Sequence, residues 1–153
     1  MLERDALEIA TEVLDTLVKL MGIEGKVMVL SRDLPVLLNV EGKDLGILIG
    51  RQGQTLASLQ HITRLVVAGQ LKSWLPLNVD VAGYKEHRHE SLQRLALHMA
   101  EQVKLTKRPI SLEPMPPDER RVIHLALADH PDAITESVGE GENRKVVVSP
   151  KSS

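Results

Sequence analysis

The sequence has no cysteine and no phenylalanine, and Trp74 and Tyr84 are its only Trp and Tyr residues. Without thiols, disulfides and thiolate metal sites are excluded, and a reducing compartment is the natural setting. Two such rings are too few for a nucleic-acid fold that stacks bases on several aromatics, so RRM and OB-fold platforms are excluded; both rings are expected to be partly buried packing residues. No apolar run approaches the roughly 20 residues needed to span a bilayer. The start, Met1-Leu2-Glu3-Arg4-Asp5, is acidic and polar where a secretory leader is basic and then apolar. The expectation is a cytoplasmic protein with no direct membrane insertion. A basic excess is missing as well, since 19 Lys and Arg stand against 21 Asp and Glu for a formal net charge of −2. Any phosphate must therefore be bound locally.

The 153 residues with 42% hydrophobic content suffice for one ordinary domain or two small ones. Their charge is unevenly spread. Residues 1–24 hold Arg4 and Lys19 against six carboxylates and are net −4, whereas Lys43, Arg51, Arg64 and Lys72 against Asp44 leave residues 43–72 at +3. Residues 85–108 are also +3, with Lys85, Arg88, Arg94, Lys104, Lys107 and Arg108 against Glu86, Glu90 and Glu101.

Apolar residues recur at three- and four-residue spacing from Ala6 to Met21 and stop at Gly22, which predicts an amphipathic helix over 5–21. Residues 26–30 and 35–40 read as an antiparallel hairpin around Ser31-Arg32-Asp33. Asp44 is placed to cap a short helix ending at Ile49, and a longer helix is expected over 54–68. Residues 77–81 alternate as a third strand. The first module is thus α-β-β-α-α-β over residues 1–83. The second, over 84–153, begins with a helix at 84–105, a short strand at 110–112 and a helix at 118–128. Strands at 134–138 and 145–148 then flank a Gly139-Glu140-Gly141-Glu142-Asn143 turn, and the tail after Pro150 is expected to fray. The fold class is α+β, in two small domains.

Two segments carry candidate chemistry. In Gly50-Arg51-Gln52-Gly53 two glycines flank a basic and polar tip between helices, so a sugar-phosphate backbone can approach without meeting Cβ atoms, and the next helix offers unpaired N–H groups. No Lys-Ser/Thr pair follows, which excludes a nucleotide P-loop. In Arg120-Arg121-Val122-Ile123-His124, Arg120 and His124 are four apart and share a helix face, with Arg121 on the same broad side. Arginine supplies bidentate phosphate contacts, and histidine donates a hydrogen bond whether or not it is charged. Each pattern alone is weak, because most such loops and faces are merely solvated.

Their setting is more specific. The first segment resembles the G-x-x-G loop of a type II KH domain, which clamps about four nucleotides. That resemblance assigns Gly50, Arg51, Gln52 and Gly53 to RNA binding and Ile47, Ile49 and Leu56 to an adjoining apolar groove. The stretch from Leu112 to His124, followed by Gly139 to Val148, resembles the R-three-H domain of single-stranded nucleic-acid binders, here Arg120 and His124. Arg121, Arg144 and Lys145 join its candidate nucleic-acid surface. A KH domain followed directly by R-three-H is similar to the bacterial Jag family, named for association with a sporulation-stage protein. The resemblance implies a post-transcriptional regulator binding single-stranded RNA, with single-stranded DNA as a second candidate ligand and a homodimer or pairing with another small KH protein as candidate partnerships. Many Jag proteins carry a further basic N-terminal domain, so an envelope-related role tied to it is in doubt here. The hairpin near Glu136 also lacks aromatics associated with the family.

Two rival readings remain open. One is a protein-binding adaptor in cell-envelope or sporulation control, and the other a phosphate-handling enzyme using His124. The enzyme reading lacks a second histidine or paired carboxylates nearby. His87 and His89 lack acidic companions for a metal and read as solvated. No catalytic residue, metal or cofactor is expected.

Overall fold

The computed structural model describes residues 4–152; Met1, Leu2 and Glu3, which open the acidic start, and Ser153 lie outside the described residues. The chain divides into two compact units, Met1–Lys85 and Glu86–Ser153. Each is α+β and has its own hydrophobic cluster.

In the first unit α1 (Arg4–Leu20), β1 (Lys26–Ser31), β2 (Val36–Glu41), α2 (Gly46–Ile49), a 3-10 turn (Arg51–Gly53), α3 (Gln54–Leu71) and β3 (Leu77–Val81) follow in order. Helix α1 buries Ala10, Val13, Leu14 and Val18, the stripe its spacing dictates. Strands β1 and β2 are antiparallel, with Lys26 opposite Glu41 and a slip between Val29 and Ser31. Strand β2 runs parallel to β3, setting Val36, Leu38 and Val40 beside Leu77, Val79 and Val81. All six are buried, each contributing about 1.5–3 kcal/mol of transfer free energy. Parallel neighbours need a crossover rather than a hairpin, and α2 with α3 supplies it.

Two local expectations change. Asp44 does not cap α2; it adopts a left-handed backbone, φ 56, and Leu45 precedes the helix with no side-chain cap. Aspartate tolerates that conformation, so the turn uses its backbone and not its carboxylate. Helix α3 continues past residue 68, through Gly69, to Leu71, and ends at Lys72 with φ 56. Packing of Leu71 and Val67 on the core favours the extra turn over the roughly 1 kcal/mol that a helical glycine costs.

The second unit holds most of α4 (Tyr84–Thr106), with β4 (Ile110–Ser111), α5 (Pro117–Ala126), β5 (Ala133–Val138), a 3-10 turn (Gly141–Asn143) and β6 (Lys145–Pro150). The sheet order is β4-β6-β5, antiparallel throughout. Leu92, Ala96, Ala100 and Val103 of α4 and Ile123 of α5 share one core with Val146 and Val148 of β6. Strand β6 runs through Pro150, and one residue further the Lys151 N–H donates to the Asp132 carbonyl at 2.9 Å.

Candidate nucleic-acid interface

The loop between α2 and α3 owes its shape to its own chain. Gly50 has φ 70, Gln52 φ 54 and Gly53 φ 78, and the Gly53 N–H reaches back to the Gly50 carbonyl at 3.4 Å. A Cβ on Gly50 would strike the Thr55 hydroxyl and lie 2.8 Å from Thr55 Cβ. A Cβ on Gly53 would lie 2.8 Å from the Tyr84 ring. The missing side chains thus make room for Thr55 and Tyr84, where the sequence suggested room for a ligand. The tip still projects Arg51, which is exposed, with Gln52 half-buried beside it.

The residues predicted to line a groove separate. Ile47 is 62% exposed, Ile49 packs partly against the core, and Leu56 is only 2% exposed. Leu56 is therefore a core residue and offers no groove surface; it lies on the α3 stripe with Leu59, Thr63 and Val67. Tyr84 is half-buried against the core as expected, but Trp74 is 60% exposed. Arg64, counted among the local cations, donates from Nε to the Leu77 carbonyl at 2.6 Å and from Nη2 to Asn78 Oδ1 at 2.7 Å. It ties α3 to β3, which removes much of its freedom to meet phosphate.

In the second unit the structure gathers three of the five predicted residues. Arg120 Nε donates to the Met115 carbonyl at 3.1 Å, while the Met115 N–H donates to the Arg144 carbonyl at 3.2 Å. One main-chain residue thus brackets both arginines. Arg144 Nη1 also donates to the Gly139 carbonyl at 2.7 Å. His124 lies beside them, its Nδ1 at 2.7 Å from Thr135 Oγ1 and its Nε2 at 2.7 Å from Ser137 Oγ. Burial first, and then the positive charges of Arg120 and Arg144, push its pKa below the ordinary histidine value.

Arg121 and Lys145 do not join this group. Along α5 the buried line is Glu119, Ile123 and Leu127, which places Arg120 and His124 at its flank and Arg121 with Leu125 toward solvent. Lys145 pairs with Val138, whereas Ser137 pairs with the core residue Val146, so alternation sets Lys145 on the other face of the sheet.

Two features escaped the sequence reading. Arg88 forms a forked pair with Glu119, Nε to Oε2 at 3.0 Å and Nη2 to Oε1 at 3.1 Å, so a cation counted toward the local positive charge instead joins α4 to α5. Thr135 and Ser137 face the core beside Val148 and Val146, while Ile134 is 52% exposed on the other side. Small polar residues at the inward positions of β5 were the available signal, since an ordinary half-buried strand would show the opposite alternation. Among the described residues no cluster of three His, Asp or Glu side chains can hold a metal, and no helix is long and apolar enough to cross a membrane.

A glycine-flanked turn in an α-β-β-α-α-β unit, followed by an Arg-x-x-x-His helix on a three-stranded sheet, defines a protein with a KH and an R-three-H domain. Residues 8–79 match the family model described as "KhpA/KhpB, KH domain" and residues 90–150 the model of the R-three-H domain. The chain is 40% identical over 150 residues to "RNA-binding protein KhpB" of Clostridium symbiosum, covering 98% of this chain and 67% of that one. It is 36% identical over 149 residues to the Bacillus subtilis (strain 168) protein of the same name, covering 96% and 72%. To the Streptococcus pneumoniae serotype 2 (strain D39) protein it is 29% identical over 150 residues, covering 94% and 45%. The chain belongs to the KhpB, or Jag, family.

Proposed function

We propose that this chain binds single-stranded RNA through two surfaces and acts as a non-catalytic post-transcriptional regulator in the cytoplasm. The observation that carries the reading is the occurrence of a KH and an R-three-H domain in one chain whose relatives are named RNA-binding proteins. In this reading the KH module spans residues 1–83 and binds through the tip Gly50-Arg51-Gln52-Gly53, with Ile47 as the exposed apolar neighbour. The R-three-H module spans 84–153 and binds through the flank carrying Arg120, His124 and Arg144. The scarcity of exposed rings favours backbone contacts over base stacking, which gives modest sequence preference and leaves single-stranded DNA as a weaker ligand. Pairing with a second copy, or with another small KH protein, is part of the same proposal. The engagement of both His124 ring nitrogens by hydroxyls argues against acid-base catalysis there.

The test uses the intact chain with single-stranded RNAs of about 6 and about 14 nucleotides, bracketing one and two short sites. Two contacts on one strand act at high effective concentration, so the longer RNA should bind more tightly. Arg120→Ala with Arg144→Ala should abolish that gain and leave the short RNA largely unaffected. Equal affinity for both lengths in the unaltered protein refutes the two-surface reading and assigns the R-three-H flank to a protein partner.

A further inference from the structure

We infer that His124 is a positioning residue and not a phosphate ligand: Thr135 and Ser137 fix its ring, and the ring holds the α5 flank so that Arg120 and Arg144 face the nucleic acid. The inference rests on the proposed RNA-binding reading of this module and adds Thr135 and Ser137 to its working parts.

The geometry leaves the ring no free hydrogen-bonding atom. A neutral imidazole has one donor and one acceptor nitrogen, and a hydroxyl can meet either, so the two 2.7 Å contacts satisfy both nitrogens in whichever tautomer is present. A phosphate oxygen can accept from the ring only by displacing one hydroxyl, which would then lose its partner in a half-buried site. Thr135 and Ser137 are two residues apart on β5 and point to the same face, so they grip the ring at both nitrogens from a rigid strand. That grip fixes the distance between α5 and β5 at the turn where Arg120 sits. Arg120 spends Nε on the Met115 carbonyl and keeps its two η nitrogens without a protein partner among the described residues. A guanidinium anchored at Nε with both η nitrogens unspent is preorganised for a phosphate.

Electrostatics agrees. The charged groups around the ring are Arg120 from α5 and Arg144 before β6. Glu136 and Lys145 lie on the other face of the sheet, and Arg88 and Glu119 on the α4 side of α5 are bonded to each other. Both cations act together with burial to favour the neutral ring, as a spacer requires.

The experiment measures the affinity of the intact chain for the single-stranded RNA of about 14 nucleotides between about pH 8 and pH 6, a range that covers ordinary histidine titration, with thermal melts to establish folding. Four changes are compared: Thr135→Val with Ser137→Ala, Thr135→Ser, His124→Gln, and Arg120→Ala with Arg144→Ala. Removing both hydroxyls should weaken binding about three- to tenfold, matching His124→Gln, while Thr135→Ser retains wild-type affinity. The pH profiles of wild type and His124→Gln should run parallel, because RNA binding takes up no proton at the ring. Nitrogen-15 shifts of the His124 ring should stay those of a neutral imidazole when RNA is added, a readout that does not depend on any substitution. Wild-type affinity in the folded hydroxyl variant, together with weak binding by the arginine variant, overturns the positioning role alone. So does an affinity gain below about pH 6.5 that His124→Gln lacks. Unchanged binding by the arginine variant overturns the RNA-facing reading of the module and this inference with it.

Discussion

Replacing Arg51 and Gln52 together by Asp tests the loop most directly. Arg51 is exposed, and Gln52 sits at φ 54, a left-handed conformation that aspartate adopts more readily than most residues, so the fold should persist. The exchange makes the tip more negative by three charges. At about 8 Å from a phosphate in water, each unit pair is worth about 0.5 kcal/mol. Three charges acting on two phosphates give about 3 kcal/mol before screening, and a Debye length of about 8–10 Å removes more than half of it. The remainder, about 1.3 kcal/mol, is close to a tenfold loss of affinity. Fluorescence anisotropy with a labelled single-stranded RNA, read at two salt concentrations, measures it, and the deficit should shrink as salt rises. A folded double variant with unchanged affinity, or a deficit indifferent to salt, removes the loop from the binding surface.

Three further outcomes follow from the geometry. Gly53→Ala should destabilise the first unit by more than the roughly 1–2 kcal/mol of a left-handed alanine, because its Cβ meets the Tyr84 ring; Tyr84→Ala in the same chain should recover the excess, and a purely additive double-mutant cycle in urea unfolding contradicts the contact. Glu119→Ala leaves Arg88 half-buried without its fork and should cost about 2–3 kcal/mol, at the low end for a buried pair because water still reaches both groups, whereas Arg88→Met with Glu119→Leu should regain most of it; a loss below about 0.5 kcal/mol for Glu119→Ala places the pair among ordinary surface ion pairs. His124 has a folded pKa below its unfolded value, so as pH falls below about 6.5 the unfolded chain takes up a proton that the folded ring resists, and stability declines until the folded pKa is passed. Denaturant midpoints from about pH 8 to pH 5 should show a decline that is smaller in His124→Gln, and identical profiles exclude the ring as its source.

Periodicity along the chain determined the element order of both modules, since α1 carries an apolar stripe, α4 buries Leu92, Ala96, Ala100 and Val103 at helical spacing after a polar start, and β3 alternates cleanly between buried and half-buried positions. The two motifs were legible for the same local reason: glycines flanking a polar tip, and an arginine and histidine one helical turn apart, are readable without knowing what lies opposite. Only tertiary structure decided what those residues touch. Spacing on α5 gave a face but not its neighbours, so the pairing of Glu119 with Arg88, 31 residues away, needed α4 in place. The inward parity of Thr135 and Ser137 depends on the register of β5 against β6, and a slip of one residue would have turned both away from His124 and brought Glu136 to its side. The glycines of the loop were visible in the sequence, and Thr55, which forbids a Cβ at Gly50, is a local neighbour, but the Tyr84 ring that forbids one at Gly53 comes from a segment that only folding brings against the turn. A helix or strand period is a property of consecutive residues, whereas the partner of a side chain is set by segments whose separation along the chain carries no local signature.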